Sequence, residues 1–431
     1  MSSKWLYHSP RWYKQQLVVQ KYYMNKDKHI PQGYKNSPLG IIPKEWEVKR
    51  LGDIADITSG TTPLRANSKY YDNGIIPWVK TTDLNNGTLF ETEEKVSEEA
   101  VKKTSLKLLP KGTVLVAMYG GFRQIGRTAI LGIDATINQA LSALICKDYV
   151  SSSFVLAWLN CRVNYWKRLA ASSRKDPNIT GNEVAKFPIL IPSKKEQDHI
   201  VKVLGLWDTA IEKQSELIEK LTLRKRALMQ KLLTGKKRLP GFSGKWKERR
   251  LGELFTERNE TNRDDLPLLS ITRDKGVIYQ SESEKRDISN DDKSKYKRIC
   301  PNDIGYNTMR MWQGRSALSQ LEGIVSPAYT IVTPTEDVDV RFMAMLIQQP
   351  RIVYAFWTHS QGLVSDTLNC KYPDFSQVKV VIPQKREQIA IADMLYGLDK
   401  EIELANEKLA KLQSQKRGLM QQLLTGKKRI K

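Results

Sequence analysis

The amino-acid sequence predicts an α+β protein in which two mixed α/β domains are separated by two long antiparallel helices that form a coiled coil. Three observations predict it: an internal repeat, a 3-4 spacing of apolar residues within the repeated segments, and strand-like β-branched runs in the remainder. The repeat also predicts that the two halves of the chain are related by a pseudo-twofold axis.

Size and charge narrow the function classes. A chain of 431 residues is too long for one ordinary core, which favours two or more domains. Lys and Arg total 70 against 47 Asp and Glu, so the net charge of +23 predicts a polyanionic partner: DNA, RNA or an anionic membrane. The chain has no apolar run of about 20 residues, so we expect no membrane partner. The first 24 residues contain no secretory signal pattern, so a cytoplasmic location is predicted.

Cysteine and histidine usage gives no sign of a metal site. The four cysteines and four histidines are scattered without a CxxC pair. We therefore expect no metal in this chain and reduced thiols in or near the cores.

The internal repeat sets the domain organisation. Residues 191–238, which begin IPSKKEQ and end LLTGKKR, return without a gap at residues 382–429, which begin IPQKREQ and end LLTGKKR. The same offset aligns PKGTVLVAM at Pro110 with PNDIGYNTM at Pro301, so the repeat extends beyond the helices. The predicted segments are an N-terminal extension without fixed structure, a first domain, a first helical spacer, a second domain and a second helical spacer, at residues 1–38, 39–190, 191–239, 240–381 and 382–431.

Each repeated segment reads as a long helix, with a proline before it and a glycine after it. Its apolar residues follow the 3.5-residue period that keeps one stripe facing a partner helix. Because each helix leaves a different domain, the second can return only antiparallel to the first. The polar interruptions Lys225 and Lys416 occupy matching positions. The predicted seam residues are Leu204, Trp207, Ile211, Ile218, Leu221, Leu228, Leu232, Leu395, Leu398, Ile402, Leu409, Leu412, Leu419 and Leu423.

The two remaining regions read as mixed α/β domains. Strands are predicted at residues 113–117, 187–191, 324–332 and 378–382, because these runs are flanked by the turn-forming residues Gly, Pro and Asn. Apolar helical stretches occur at residues 154–169 and 340–356, and their Trp and Met residues are expected in the core. Basic and aromatic residues concentrate in predicted loops, among them GGFRQIGR at 120–127, SSRKDPN at 172–178 and NTMRMWQGR at 307–315.

From about residue 34 onward, the sequence resembles the specificity subunits of type I restriction-modification systems. The resemblance consists of several short motifs that occur in the same order. The matching words are SPLGIIPKEWEVKRLG at 37–52, IPWVK at 76–80, LPKGTVLVAMYG at 109–120, PNI at 177–179, YNTMRMWQG at 306–314 and GIVSPAY at 323–329. IPxxxEQ before each helix and LLTGKKR after it complete the pattern. Met24 resembles the usual beginning of such proteins, so residues 1–23 are expected to lie outside the DNA footprint.

The resemblance implies two target-recognition domains, each reading half of a split site in double-stranded DNA, with the two helices setting the spacing. It implies two methyltransferase (modification) subunits and two restriction (motor-nuclease) subunits as partners. The implied cofactors, S-adenosylmethionine, ATP and magnesium, belong to those partners, and none is expected in this chain.

The sequence lacks the motifs that are typical of methyltransferase and nucleotide-binding sites. Neither the Asn/Asp-Pro-Pro-Tyr/Phe motif of amino-methyltransferases nor a GxxxxGK[ST] phosphate loop occurs. The triplets EEK at 93–95 and DDK at 291–293 could supply part of a magnesium site, but such triplets arise by chance in a chain that is 27% charged. A non-catalytic subunit is therefore predicted. An RNA-binding scaffold, or the specificity part of a split methylase-nuclease of another restriction class, remains the alternative.

Base-reading side chains present paired donors or acceptors, typically Arg or Lys to guanine and Asn or Gln to adenine, while other cations hold phosphates. Loop residues of these types are the candidate DNA-binding residues, together with one tryptophan that could stack. They are Lys80, Arg123, Gln124, Arg127, Arg174, Lys175 and Asn178 in the first domain, and Arg273, Lys275, Arg310, Trp312, Gln313 and Arg315 in the second.

Overall fold

The computed structural model describes residues 30–171, 177–272, 275–283, 289–362 and 367–430. These residues form two compact units. The first comprises the described residues up to Lys213 together with those from Leu409 onward, and the second comprises Gln214–Lys408. No helix in these described ranges is long and apolar enough to cross a membrane.

The first unit is a mixed α/β fold that ends in a long helix. Its strands are β1 (Tyr34–Ser37), β2 (Gly40–Pro43), β3 (Glu47–Arg50), β4 (Ala55–Ser59), β5 (Ile76–Val79), β6 (Thr88–Leu89), β7 (Glu94–Val96), β8 (Val114–Ala117), β9 (Thr128–Leu131), β10 (Thr136–Ile137), β11 (Leu141–Cys146) and β12 (Pro188–Ile191). Its helices are α1 (Leu51–Ile54), α2 (Glu98–Lys103), α3 (Ser152–Cys161), α4 (Val163–Ala171), α5 (Gly181–Ala185) and the first part of α6 (Lys194–Leu232), and a short 3-10 helix lies at Ser68–Tyr70.

The described residues of the second unit repeat this plan with fewer elements. Its strands are β13 (Lys247–Arg250), β14 (Phe255–Glu257), β15 (Leu269–Thr272), β16 (Gly276–Tyr279), β17 (Lys297–Ile299), β18 (Ile304–Asn307), β19 (Ser316–Leu318), β20 (Gly323–Val325), β21 (Tyr329–Pro334) and β22 (Lys379–Ile382). Its helices are α7 (Leu251–Leu254), α8 (Val340–Leu346), α9 (Pro350–His359), α10 (Tyr372–Gln377) and the first part of α11 (Lys385–Leu424), with 3-10 helices at Gln280–Glu282 and Met311–Gln313.

The central sheets of the two units share one strand order. The first unit contains β4-β11-β8-β9 with β6 added at the edge, and the second contains β14-β21-β18-β19. In both units a separate antiparallel pair precedes the long helix, β3 with β12 and β13 with β22. The repeat seen in the sequence therefore extends through the sheets as well as the helices.

The apolar residues of the strands and of the helices behind them form the cores. All four residues of β8 and of β9 are buried, and Trp158 and Trp166 from α3 and α4 are buried behind this sheet. The second unit buries Phe342, Met343 and Phe356 in the same way. The prediction that Trp158 and Trp166 belong to the core is confirmed.

The long helices pack antiparallel within each unit. In the first unit Asp208 of α6 forms an ion pair with Lys416 of α11. In the second unit Lys225 of α6 forms an ion pair with Asp399 of α11. The two pairs are equivalent under the sequence repeat, because 208 and 399 differ by 191 and so do 225 and 416. The matched polar interruptions of the seam are therefore lysines with a carboxylate partner on the facing helix.

A third polar contact lies within the helix pair of the second unit. Gln214, which is 6% exposed, donates from Nε2 to the carbonyl oxygen of Ala405 at 2.9 Å. Among the predicted seam residues, Leu204, Leu221, Leu232, Leu395, Leu398 and Leu423 are buried, and the others are half-buried.

The sequence motifs that flank each long helix determine where the helix begins and ends. Gly235 and Gly426 follow the helices with φ of +70°, a left-handed conformation that favours glycine. At the other end, Gln197 donates to the carbonyl oxygen of Pro192 at 3.0 Å, and Gln388 donates to that of Pro383 at 2.9 Å. The Gln of each IPxxxEQ word thus closes the turn into its helix.

The predicted fold class is confirmed: α+β, with two mixed α/β folds and two long helices that pack antiparallel. Residues 34–37, which the sequence assigns to the N-terminal extension, form β1 and pair with β2. The hydroxyl of Tyr34 donates to the carbonyl oxygen of Gly426 at 3.1 Å, which ties this hairpin to the turn after α11.

Candidate nucleic-acid interface

The first unit presents a basic loop between the paired strands β8 and β9. The loop turns at Gly120, Gly121 and Gly126, whose φ values of +105°, +73° and +74° favour glycine. Arg123 is exposed, and Arg127 donates from Nη1 to Oε1 of Gln124 at 3.0 Å. The predicted trio Arg123, Gln124 and Arg127 therefore lies together on one hairpin loop.

Helix α4 packs directly against this loop. A Cβ at Gly126 would lie 2.8 Å from Cβ of Trp166, so only glycine permits this approach. Trp166 is fully buried and stacks on Phe187, with ring centroids 4.1 Å apart. The hairpin loop and the helix are thereby held in one fixed arrangement.

A cavity of about 260 Å³ opens between the loop and α4. Its lining includes two loop arginines and one helix lysine, and none of its described lining residues is acidic. The lining residues are Asn86, Arg123, Ile125, Gly126, Arg127, Val163 and Lys167.

The second unit presents a basic loop at the equivalent hairpin, between β18 and β19. Met311 is buried and anchors the 3-10 helix Met311–Gln313, which ends at Gly314 with φ of +71°. Arg310, Gln313 and Arg315 are exposed around this anchor. Trp312 is half-buried, and its Nε1 donates to the carbonyl oxygen of Met309 at 3.0 Å. The tryptophan has its hydrogen bond within the loop, while the guanidinium and amide groups point outward.

Helix α9 lies beside this second loop, as α4 does beside the first. A Cβ at Gly314 would lie 3.0 Å from Cγ2 of Val353, which shows how closely the helix approaches. Tyr354 and Trp357 are exposed on α9, with their ring centroids 5.5 Å apart. Exposed aromatic faces of this kind can stack on bases or on the sugar-phosphate backbone.

Lys80 is held by two carboxylates. Its Nζ lies 2.8 Å from Glu93 and 2.7 Å from Glu94, because β5 and β7 pair and bring Glu94 beside the end of β5. Hydrogen bonds from Arg65 and then Lys80 hold the pKa of Glu94 below its ordinary value. An ammonium group in this network is less available to a DNA phosphate than the loop arginines are.

The remaining candidates are distributed differently. Asn178 is half-buried and precedes the fully buried Ile179. Lys275 is exposed in the turn between β15 and β16, where its backbone N–H donates to Oγ1 of Thr272 at 3.1 Å. Arg174, Lys175 and Arg273 lie outside the described residues.

Sequence reasoning missed the helical side of both loops. Lys167 lines the cavity from α4, and Tyr354 and Trp357 are exposed on α9, the helix that packs against the second loop through Val353. Their signal was the spacing on the helix: Val163 and Lys167 are four residues apart and Tyr354 and Trp357 three apart, so each pair shares one helix face. The apolar residues around them predicted a core helix and concealed its exposed face.

Both units therefore display the same fold element with the same chemistry: a rigid hairpin loop with exposed arginines, flanked by a helix. Guanidinium groups suit guanine edges and phosphates, and amides suit adenine. Within the described residues no group of three His, Cys, Asp or Glu side chains is arranged to hold a metal ion.

Comparison with known proteins agrees with this fold. Residues 43–223 match the family model described as the type I restriction modification DNA specificity domain. The MjaIX specificity subunit of Methanocaldococcus jannaschii is 34% identical over 198 residues, which are 44% of this chain and 45% of that protein. This chain thus spans about half the length of that relative.

Two further similarities cover nearly the whole chain. The putative MjaX specificity subunit of the same organism is 23% identical over 93% of this chain and 97% of its own length. The crystal structure of a type I restriction-modification system S subunit from M. genitalium has a TM-score of 0.52 at 14% identity, covering 92% of this chain and 98% of that one. The resemblance to type I specificity subunits that the sequence predicted is confirmed.

Proposed function

We propose that this chain is the non-catalytic, sequence-specific subunit of a type I restriction-modification complex and recognises a bipartite site in double-stranded DNA. One observation carries the proposal: the hairpin between equivalent strands bears exposed arginines in both units, Arg123 in one and Arg310 and Arg315 in the other. Two loops of the same position but different sequence would read two different half-sites.

The long helices would set the spacing of the half-sites. α6 has 39 residues and α11 has 40, and each unit holds a segment of both. The repeat-equivalent ion pairs Asp208–Lys416 and Lys225–Asp399 fix the register of the two helices. A fixed register would give a fixed spacer between the half-sites.

The partners would be two methyltransferase subunits and two restriction subunits, all in the cytoplasm. The methyltransferase subunits would use S-adenosylmethionine to methylate adenine, and the restriction subunits would use ATP and magnesium to cut. Large apolar side chains that face away from the seam support docking of such partners on the helices. They are Leu206, Leu217, Leu223, Met394, Tyr396 and Leu404.

The proposal is tested by expressing the chain with its methyltransferase in cells and mapping methylated adenines by single-molecule sequencing. We expect one split motif with two fixed half-sites and a spacer of constant length. Methylation of an unsplit motif, or no methylation, would contradict the proposal. Methyl transfer by the purified chain alone would contradict its non-catalytic role, and tighter binding to RNA than to duplex DNA would favour an RNA scaffold.

A further inference from the structure

We propose that the cavity between the β8–β9 loop and α4 binds one backbone phosphodiester of the DNA duplex. The inference rests on the proposed function and deepens it, because it assigns Arg123, Arg127 and Lys167 to positioning the duplex rather than to reading a base.

The positive charges around the cavity favour the binding of an anion. Three cations line one small space, and none of the described lining residues is acidic. Arg123 and Lys167 have no ion-pair partner among the described residues, and Arg127 donates to the neutral amide of Gln124. Like charges around one small cavity repel one another, and a bound anion reduces that repulsion. A phosphodiester supplies the negative charge and several acceptor oxygens.

The lining of the cavity favours a phosphate over a base. The volume of about 260 Å³ admits either group, so the residues that line the cavity decide between them. A site for an unstacked base ordinarily offers an aromatic face for stacking, and no aromatic ring is among the described lining residues.

The walls of the cavity are rigid. On one side, Gly126 packs against the buried Trp166 and fixes the loop to α4. On the other, Asn86 adopts φ of +59°, and its Oδ1 accepts from the N–H of Thr128 at 3.1 Å. The side chain of Asn160 donates to the carbonyl oxygen of Asn86 at 2.8 Å. A rigid site holds its phosphate without losing much conformational entropy on binding.

Binding here sets the register of the first reading loop. Phosphate contacts fix the orientation of a protein on the duplex but carry no sequence information. Gln124, which lies between Arg123 and Arg127 in the loop, is then placed at a constant distance from the backbone and is left to contact a base edge.

The test uses the full chain assembled with its methyltransferase and two duplexes of equal length, one with the mapped motif and one scrambled. Lys167→Gln removes a cation from the cavity, and Lys167→Arg keeps it. Arg168→Gln is the matched control, because Arg168 follows on the same helix, is exposed and does not line the cavity. Affinity is measured across a salt series for each protein.

We expect Lys167→Gln to weaken both duplexes by the same factor and to make the slope of log K against log salt shallower by up to about 0.9, the value for one phosphate contact. Lys167→Arg should restore the wild-type slope, and Arg168→Gln should leave it nearly unchanged. Equal slopes for the two Gln variants, or a loss of preference for the mapped motif in Lys167→Gln, would overturn the inference. A wild-type complex with no preference for the mapped motif would instead overturn the proposed function.

Discussion

Glu196 accepts two hydrogen bonds from the guanidinium group of Arg429, at 2.6 and 3.0 Å, across 233 residues of sequence. The repeat-equivalent residues make the same contact in the second unit, where Arg238 donates to Glu387 twice at 2.6 Å. The Glu of the IPxxxEQ motif in each copy of the repeat therefore binds the Arg of the LLTGKKR motif in the other copy. In the first unit Nε1 of Trp46 also donates to Glu196 at 3.0 Å.

Glu196→Gln should destabilise the first unit. The carboxylate side chain is 7% exposed, and its loss leaves the partly buried Arg429 with only the exposed Glu45 as an ion-pair partner among the described residues. Hydrogen bonds to charged groups contribute about 1.5–3 kcal/mol, and we expect the free energy of unfolding to fall by that amount. Urea unfolding followed by tryptophan fluorescence measures the change.

Glu212→Gln is the matched control for this experiment. Glu212 is exposed on the same helix and in the same unit, and it has no ion-pair partner among the described residues. Its substitution should change the unfolding free energy by less than about 0.5 kcal/mol. Equal effects of the two substitutions would show that the contact with Arg429 contributes no stability.

Cys370 should resist alkylation in the folded protein. Burial is the main cause that raises the pKa of its thiol to about 12, and its backbone N–H donates at 2.9 Å to the carbonyl oxygen of Thr308 in the second hairpin loop. Near pH 8 we expect iodoacetamide to label the half-buried Cys300 before the buried Cys370, with the site of labelling read by mass spectrometry. In denaturant both cysteines should react alike. Rapid labelling of Cys370 in the native protein would mean that this loop opens.

The same pKa shift makes a prediction about pH. The folded-state pKa of Cys370 lies above the value of about 8.5 for a free thiol. The neutral thiol therefore stabilises the fold fully below pH 8.5, and this contribution is lost as pH rises toward 12. Cys370→Ala should reduce this alkaline loss, which a series of unfolding experiments between pH 8 and 11 would measure.

Local sequence patterns predicted where the long helices lie. They did not predict the ion pairs that form only when distant segments pack together. Pro192 and Gly235 bracket α6 (Lys194–Leu232) closely, because a proline and a left-handed glycine act on the backbone near them. Glu196 meets Arg429 only through antiparallel packing of the helices, which no local period encodes. Lys80 was predicted to bind DNA because it lies in a loop. The pairing of β5 with β7 places Glu93 and Glu94 beside it, and the local sequence pattern does not encode that pairing.

Arg310→Ala should relax base preference in one half-site only. The side chain is exposed, and the backbone carbonyl of residue 310 that accepts from Gln313 at 2.9 Å is retained in alanine. Loss of a bidentate contact to a base costs about 1–3 kcal/mol of discrimination. Arg351→Ala, an exposed cation of α9 in the same unit, is the control. Uniform weakening on all sequences, with a shallower salt slope, would identify Arg310 as a phosphate contact instead.

A paired insertion tests whether the long helices set the spacer. Duplicating residues 215–221 in α6 and 398–404 in α11 places each insert between the contact of Gln214 with Ala405 and the ion pair of Lys225 with Asp399. Both contacts are kept, and seven residues preserve the phase of the seam because they make two turns of a 3.5-residue period. The helices lengthen by about 10 Å, which equals about three base pairs at 3.4 Å each. We expect methylation mapping to show unchanged half-sites and a spacer about three base pairs longer. The same insert in α6 alone should lower stability, because it leaves the facing helix unmatched. An unchanged spacer in a stable paired variant would show that the helices do not separate the reading loops.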